Sequence, residues 1–346
     1  MDDDAGKAPM SALQNIFGGT SMKRRFILLA GAAAAACALA SPAAQAGEAW
    51  PQRPITLVVP FAAGGGTDSI ARDIAKQMSD QLRQAVVVEN RGGGGGSMGA
   101  NAVAKARPDG YTVLFATSTF ATNAAFEPKL PYDPERDFAP VAMIGRGPLL
   151  LVTSKQLGAT TVPQLLATAR GRAEGLNFCS AGPGSINHLA GELFRQQTGA
   201  AMTHVPFKGS APASMELLAG RVDVFFATVP TILPHIKENK LNLLAVTSDK
   251  RSALFPEVPT LAEAGVKGYD VTTWWGVLAP AATPPAVVQA LNKAVIAAAA
   301  AAPVQERLRH EGATPLALSP AAFGEELRKE LALWRGVVAK PGMQLQ

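Results

Sequence analysis

The sequence predicts an α/β protein built from two domains that face each other across a cleft. Apolar, β-branched segments alternate with amphipathic helical segments along most of the chain, which is typical of parallel sheets covered by helices. Two glycine-rich loops, at residues 64–66 and 92–96, each lie between a predicted strand and a predicted helix. The chain has 346 residues, which is enough for two hydrophobic cores.

The first strand, loop and helix show this pattern most clearly. Residues 55–59 form a buried-strand pattern that breaks at Pro60, and apolar residues recur at helical spacing from residue 70 onward. Thr67 and Asp68 are both suitable N-cap residues for the helix. A glycine loop that leads into a helix N-terminus exposes backbone N–H groups to an anion.

The whole chain divides into elements as follows. Strands are predicted at residues 55–60, 85–90, 111–117, 141–144, 149–154, 176–180, 202–206, 222–228, 241–247 and 274–279. Helices are predicted at residues 67–82, 97–106, 163–170, 185–197, 211–219, 231–238, 259–264, 284–300, 303–311 and 319–338. We expect two doubly wound, mostly parallel sheets, with residues 47–149 and 275–346 in domain 1 and residues 150–274 in domain 2.

Residues 1–46 are predicted to be an upstream extension followed by a secretory signal peptide. A charged segment at 22–25 precedes an apolar segment at 26–39, and Ala44-Gln45-Ala46 is a suitable cleavage site, so that cleavage falls near Ala46. Whether residues 1–21 are translated stays open, as does lipid anchoring through Cys37. Removal of this leader leaves Cys179 as the sole cysteine, which excludes an intramolecular disulfide.

Composition and motifs argue against nucleic acids, metals, cofactors and nucleotides as ligands of this protein. The formal net charge is +5, and the basic residues form no run outside the leader, so nucleic acid is not expected as a partner. The four histidines show no metal-ligand spacing, and neither a metal nor a cofactor is expected. The first glycine loop lacks the Gly-Lys-Ser/Thr of a P-loop, which argues against a nucleotide.

The charged residues beside the glycine loops have ordinary interpretations. Asp68 is predicted to cap the helix and stiffen the loop rather than to act as a catalytic carboxylate. Arg72 and Arg91 are predicted to be solvated. Two successive loops of this kind favour an anion site made of backbone amides.

The second domain repeats the arrangement. A strand ending at Ser180 leads through a glycine turn to a helix capped by Ser185. Cys179 and His188 suggest a thiol nucleophile, but Cys179 lies within the strand pattern and His188 in the first helical turn, so we expect a small apolar residue and a neutral hydrogen-bonding imidazole. Lys208 is predicted either to meet an anion or to reach solvent.

Two further segments stay ambiguous from the residues alone. Thr117, Ser118, Thr119 and Asn123 offer hydrogen-bonding groups near the glycine loops, or form a polar loop of no functional importance. The pair at 274–275, Trp-Trp, either lines the cleft or packs a connection between the domains.

An ordered set of motifs resembles the tripartite tricarboxylate transporter receptor family, also called the Bug proteins. It includes V-P-F-A-A-G-G-G-T-D at 59–68, V-E-N-R-G-G-G-G-G at 88–96, R-P-D-G-Y-T at 107–112, S-A-G-P-G-S-I-N-H at 180–188, H-V-P-F-K-G-S at 204–210 and W-W-G-V-L-A-P at 274–280. The resemblance extends over residues 50–342.

This resemblance implies a periplasmic-binding-protein fold of type II, the Venus-flytrap arrangement, and no enzymatic activity. It implies a monomeric, exported receptor that binds a small carboxylate (a di- or tricarboxylate, an amino acid or an aromatic acid) and docks transiently on membrane transporter subunits. The implied ligand-binding residues are Phe61, Gly65, Gly66, Thr67, Asp68, Ser118, Thr119, Asn123, Ser180, Ser185, His188, Gly209 and Thr228. Phe207 replaces a tyrosine of many relatives.

Two other functions stay open at this stage. The same binding could serve a co-receptor for a membrane sensor kinase, and the sequence does not separate this role from transport. A hydrolase using Cys179 or Ser185 with His188 has no supporting G-x-S-x-G motif. The sequence does not specify which carboxylate is bound.

Overall fold

The structure is a computed structural model that describes residues 50–127 and 129–340. The predicted signal peptide and Cys37 lie outside the described residues. Within them, no single helix is long and apolar enough to cross a membrane, and the one pair of helices that reaches this length, residues 285–300 with 302–310, is bent by 71°.

The described residues form ten strands, ten α-helices and two short 3-10 helices. The strands are β1 Ile55–Val59, β2 Val86–Asn90, β3 Thr112–Thr117, β4 Phe138–Ser154, β5 Leu176–Ser180, β6 Met202–Pro206, β7 Val224–Thr228, β8 Leu241–Val246, β9 Thr272–Pro280 and β10 Thr314–Leu318. The α-helices are α1 Gly66–Leu82, α2 Ser97–Ala104, α3 Thr119–Phe126, α4 Val162–Gly171, α5 Ile186–Thr198, α6 Ser210–Leu218, α7 Val229–Lys237, α8 Pro285–Ala300, α9 Ala302–His310 and α10 Pro320–Val338. The 3-10 helices are Gly94–Gly96 and Lys155–Leu157.

The long strand β4 changes partners along its length and so joins two groups of strands. Residues 138–148 pair with β9, and β10 lies on the other edge of this part. Residues 149–154 pair with β7 and β8 instead. We call the group β2-β1-β3-β9-β4-β10 the first half-sheet and the group β8-β4-β7-β5-β6 the second half-sheet.

The predicted parallel order holds within the outer part of each half-sheet. β2, β1 and β3 are parallel, as are β6, β5 and β7. All pairs that involve β4 or β9 are antiparallel, so the sheet as a whole is mixed. Alternation along the sequence does not reveal this, because it reports helices between neighbouring strands and not the return of the chain through a distant strand.

Several predicted boundaries were wrong. The two strands expected at 141–144 and 149–154 are one strand. Neither α3 nor β10 was predicted. The helix expected at 259–264 is a turn, in which Thr260 and Glu263 exchange backbone-to-side-chain hydrogen bonds of 2.8 and 3.1 Å. This pair is a capping-box pattern, but the chain turns at Gly265, whose φ is +103°, before a helix can form.

The core explains why four of the five residues of the first strand are apolar. Ile55, Leu57, Val58 and Val59 are fully buried because helices cover both faces of β1. On α1, Ile70 and Ile74 are fully buried as the helical spacing predicted. These elements therefore hold the first glycine loop on a rigid support.

Candidate functional site

Two sets of loops face each other in the structure. β1, β2 and β3 are parallel, so the loops that follow them leave the same edge of the first half-sheet. β5, β6 and β7 are also parallel, and the loops that follow them leave one edge of the second half-sheet. Residues 60–66, 91–96 and 118 form the first set, and residues 181–185, 207–209 and 228–230 form the second. We call them the facing loops.

The first glycine loop is held by Asp68, but not as an N-cap. The helix begins at Gly66 and its N-cap is Gly65, so Asp68 lies in the first turn. Its Oδ2 accepts a hydrogen bond of 3.0 Å from the N–H of Gly64. The prediction that Asp68 is the cap was wrong because the cap lies three residues earlier, at Gly65, and a carboxylate in the first turn reaches back to the preceding backbone.

Asp68 also binds two side chains beneath the loop. Arg72 Nε and Asn90 Nδ2 each donate to its carboxylate at 2.9 Å, and Asn90 Nδ2 also donates to the carbonyl of Phe61 at 3.1 Å. Burial alone would raise the pKa of Asp68, but the hydrogen bonds from Arg72, Gly64 and Asn90 hold it below its ordinary value. Asp68 is therefore ionised and committed to loop structure.

Asn123 connects the second glycine loop to α3. Its Nδ2 donates to the carbonyl of Gly94 at 3.1 Å, and its side chain lies beside Gly95, whose φ is +62°. Asn123 also lines a small cavity with Phe61 and Thr117. The segment expected to be a loop is helical, so Asn123 is held rigidly beneath the glycines.

Ser118 and Thr119 face the interior of the first half-sheet. Ser118 is fully buried, and its Oγ accepts from the N–H of Trp274 at 2.9 Å and donates to the carbonyl of Thr272 at 3.3 Å. The N–H of Thr119 donates to Thr117 Oγ1 at 3.3 Å. Ser118 therefore ties the end of β3 to the start of β9.

The hydroxyl groups in the loop after β5 are engaged within that loop. Ser180 Oγ donates to the carbonyl of Gly182 at 3.1 Å, and Ser185 Oγ donates to the same carbonyl at 2.7 Å. Ser185 Oγ also accepts from the N–H of His188 at 3.3 Å, which confirms the predicted cap. These contacts fix the loop conformation.

Two stacked imidazoles support the same loop from below. The rings of His188 and His204 are parallel to within 17° and their centroids are 3.8 Å apart. His188 Nδ1 accepts from the N–H of Gly184 at 3.2 Å, and His204 Nε2 lies 2.6 Å from Ser180 Oγ. The sequence did not suggest a role for His204, since its partner Ser180 lies on a different strand.

Gly209 and Thr228 begin helices whose N-termini lack a side-chain cap. Gly209 precedes α6 with φ of +117°, and Thr228 precedes α7. Thr228 Oγ1 contacts Thr231 Oγ1 at 2.9 Å rather than a backbone N–H. The helices α1, α2 and α3, which follow the first set of facing loops, also lack a side-chain cap, so five helices present N-terminal N–H groups at the facing loops.

Direct contacts join the two sets of loops. Thr122 Oγ1 on α3 donates to the carbonyl of Gly184 at 2.8 Å. A Cβ atom placed on Gly184 would lie 3.0 Å from Asn123 Oδ1, and one placed on Gly66 would lie 2.9 Å from Cγ of Pro230. No local sequence pattern pointed to Thr122, because its partner lies 62 residues away.

The comparisons with known proteins agree with this geometry. A model of the tripartite tricarboxylate transporter family receptor matches residues 70–342. The chain belongs to this family. Protein BugT of Bordetella pertussis is 37% identical over 324 residues, covering 93% of this chain and 99% of that protein, so the resemblance to Bug proteins is confirmed.

Solved structures of this family show the same fold. A protein of R. palustris solved with adipate is 40% identical, with a TM-score of 0.78, and the match covers 83% of this chain and 97% of that chain. MatC from Rhodopseudomonas palustris, solved with bound malate, is 34% identical, with a TM-score of 0.77 and coverage of 84% and 100%. The fold is therefore the two-domain fold of a periplasmic binding protein.

The cationic side chains next to the facing loops are either paired with carboxylates or exposed to solvent. Arg72 pairs with Asp68, and Arg91 Nε pairs with Glu89 at 2.6 Å. Lys208 is exposed. Among the described residues no group of three or more His, Cys, Asp or Glu side chains could hold a metal ion. An anion at the facing loops would therefore meet backbone N–H groups first.

Cys179 and the two tryptophans belong to the interior of the receptor. Cys179 is fully buried, and burial raises the pKa of its thiol far above the ordinary value, so the nucleophilic thiolate is disfavoured. Trp274 and Trp275 are both buried. The indole N–H of Trp274 donates to Glu330, whereas that of Trp275 donates to Thr67 Oγ1 at 3.4 Å, directly after the first glycine loop.

Proposed function

We propose that this chain is an exported periplasmic receptor that captures a small carboxylate between the facing loops and delivers it to a membrane transporter. The observation that carries the proposal is that five helices, α1, α2, α3, α6 and α7, begin at the facing loops without a side-chain cap. Backbone N–H groups at a helix N-terminus bind a carboxylate, and the helix dipole favours its charge. Relatives solved with adipate and malate support this ligand class.

We assign the direct ligand contacts to backbone and hydroxyl groups at the N-termini of α1, α6 and α7. On the first side these are the amides of Gly65 and Gly66 with Thr67, and on the second side Gly209 and Thr228. The remaining predicted residues hold these groups in place: Phe61, Asp68, Ser118, Thr119, Asn123, Ser180, Ser185 and His188. The hydrogen bonds of Asp68, Ser118, Asn123, Ser180, Ser185 and His188 to loop and strand backbone support this division.

We also propose that residues 47–149 and 275–346 form one domain and residues 150–274 the other, as the sequence predicts. The change of partners along β4 at residues 148–149 and the start of β9 at Thr272 support connections near 150 and 275. A ligand that contacts both sets of facing loops would stabilise their approach. Such closure removes water and strengthens hydrogen bonds to a carboxylate.

A non-enzymatic role fits the chemistry of the interior. Cys179 is buried, and burial raises the pKa of its thiol. The hydroxyl groups of Ser180 and Ser185 donate hydrogen bonds to the carbonyl of Gly182. His204 Nε2 lies 2.6 Å from Ser180 Oγ, but Ser180 is fully buried, so this hydroxyl is not presented to a substrate. The proposed partners are the carboxylate and the transporter subunits, with a monomeric receptor that requires no cofactor.

Thermal unfolding with a panel of carboxylates tests the ligand class. Mono-, di- and tricarboxylates, adipate and malate included, are compared with the corresponding neutral amides at the same concentration. A ligand present at about 100 times its dissociation constant stabilises the folded state by about 2.7 kcal/mol, which shifts the melting temperature by several degrees. Equal shifts for acids and amides, or no shift with any acid, would contradict the proposal.

A further inference from the structure

Glu311 is a buried carboxylate that the proposed ligand contacts do not use. It follows α9, at the turn that leads to β10, and its exposed fraction is 5%. Its Oε2 atom has no hydrogen-bond partner within the described part of the chain. A buried charge without a partner is costly, so this position favours the protonated carboxyl group.

The turn at 311–312 lies between the two sets of facing loops. A Cβ atom on Gly66 would lie 2.5 Å from Glu311 Oε2 and 2.9 Å from Cγ of Pro230, so both groups border the same point at the start of α1. A Cβ atom on Gly312 would lie 2.7 Å from Cγ2 of Val229. Glu311 therefore lies just before β10, a strand of the first half-sheet. It is covered by the start of α7, the helix that follows β7 of the second half-sheet.

Few charged groups face Glu311. Burial raises its pKa to about 7, and Arg307, one turn earlier on α9, acts in the opposite direction. Arg307 Nε is itself paired at 2.9 Å with Asp73 of α1. The residues that cover Glu311 from α1 and α7, namely Gly66, Val229 and Pro230, carry no titratable side chain.

We propose that Glu311 couples closure of the facing loops to the uptake of one proton. When α7 lies against the 311–312 turn, the carboxyl group is shielded from water and holds its proton. When the facing loops separate, water reaches Glu311 and the group ionises. The inference rests on the proposed function, because it requires that ligand capture and closure occur together.

The sign of the effect follows from linkage. The closed form binds the proton more tightly than the open form, so lowering the pH favours closure. Ligand affinity should increase by roughly tenfold between about pH 7.5 and about pH 5.5, and it should level off above about pH 7.5, where Glu311 is ionised in both forms. The Gln side chain of Glu311→Gln mimics the protonated carboxyl group. The ligand affinity of this variant should therefore lack the pH dependence that Glu311 causes in the wild type.

Calorimetric titration with adipate and with malate tests the coupling. Measurements at about pH 6 in two buffers of different ionisation enthalpy give the number of protons taken up per ligand bound. We expect close to one proton for the wild-type receptor and none attributable to this site in Glu311→Gln. Glu306→Gln is the matched control, since Glu306 is an exposed residue of α9, the helix that Glu311 follows, and should behave as wild type. Equal proton uptake in wild type and Glu311→Gln would overturn the proposal.

A ligand-free measurement separates failure of this inference from failure of the proposed function. Small-angle X-ray scattering gives the radius of gyration of the apo protein at about pH 5.5 and about pH 8. The wild-type protein and Glu306→Gln should become more compact at the lower pH, and Glu311→Gln should be compact at both. If no carboxylate binds but this difference is present, the ligand class is wrong and the coupling stands. A radius that responds to pH in the same way in all three proteins would refute the coupling.

Discussion

At the scale of the residue, the polar side chains at the strand ends hold loops rather than present charges. Asp68 accepts from Gly64, Arg72 and Asn90, and Ser185 caps α5 while it binds the carbonyl of Gly182. A loop fixed in this way binds its ligand without a further loss of backbone entropy. The receptor can thus use backbone N–H groups as its main ligand donors.

Replacing Asp68 with Asn should loosen the first glycine loop. Asn keeps the size of the side chain but loses the charge that Arg72, Gly64 and Asn90 bind. We expect a loss of about 1 to 3 kcal/mol in the free energy of unfolding near neutral pH, together with weaker carboxylate binding. Urea unfolding followed by circular dichroism measures the first effect and thermal shift with adipate the second.

The pH dependence of the same variant follows from the lowered pKa of Asp68. The stabilisation is present above the unfolded-state pKa of about 3.8 and is lost as the pH falls through the lower folded-state value. The difference between wild type and Asp68→Asn should therefore shrink in acid. Asp80→Asn is the control on the exposed side of α1 and should change stability by less than about 0.5 kcal/mol. A constant difference down to the acid limit would argue against this role.

At the scale of the element, the two glycine loops depend on close packing between α2 and the ends of β1 and β2. A Cβ atom on Gly99 of α2 would lie 2.8 Å from the carbonyl oxygen of Arg91 and 2.9 Å from Cα of Pro60. Both contacts are with backbone atoms, which cannot move without displacing a loop. The absence of a side chain at this position therefore sets the spacing between the two loops.

Gly99→Ala should destabilise the fold although alanine favours helices. The contacts with Arg91 and Pro60 should cost about 1 to 3 kcal/mol, and the displaced loop should bind carboxylates less tightly. Gly336→Ala on α10 is the matched control, because open space surrounds that position. It should stabilise the protein by about 0.5 to 1 kcal/mol. Chemical denaturation of both variants measures the effects, and changes of the same sign would contradict the packing argument.

At the scale of the whole molecule, two contacts that join the facing loops matter for the proposed closure around a ligand. The hydrogen bond from Thr122 to Gly184 connects α3 to the loop after β5, and the 311–312 turn contacts the start of α7. These contacts contribute to the closed form but not to the cores of the two half-sheets. Changes in them should therefore affect ligand affinity more than stability.

Thr122→Val removes the hydroxyl group at nearly constant volume. The carbonyl of Gly184 loses its donor, so we expect carboxylate affinity to fall by roughly three- to tenfold, which corresponds to about 1 kcal/mol. Calorimetric titration with adipate or malate measures the change. Thr168→Val is the control, because Thr168 bonds only to Gln164 of its own helix α4. A matching loss of affinity in both variants would show that the cross-loop hydrogen bond is not responsible.

Features that depend on local pattern could be predicted from the sequence. The burial of β1 and α1, the glycine loops at strand ends, the Ser185 cap and the interior position of Cys179 all follow from periodicity and residue type within one segment. The ordered motifs also indicated the receptor family, which the comparisons confirm. Short segments such as β10 escaped prediction, because a five-residue strand that contains Pro315 has almost no pattern of its own.

The tertiary structure alone decided which groups meet. The partner of Thr122, the pairing of His204 with Ser180 and the position of Glu311 between α1 and α7 all join segments that are distant in the chain. Such contacts depend on strand order and on the change of partners along β4, which no local pattern encodes. The pattern of residues within one helix or strand decides which of its side chains are buried. Which elements contact each other depends on the order and direction of the strands in the folded chain.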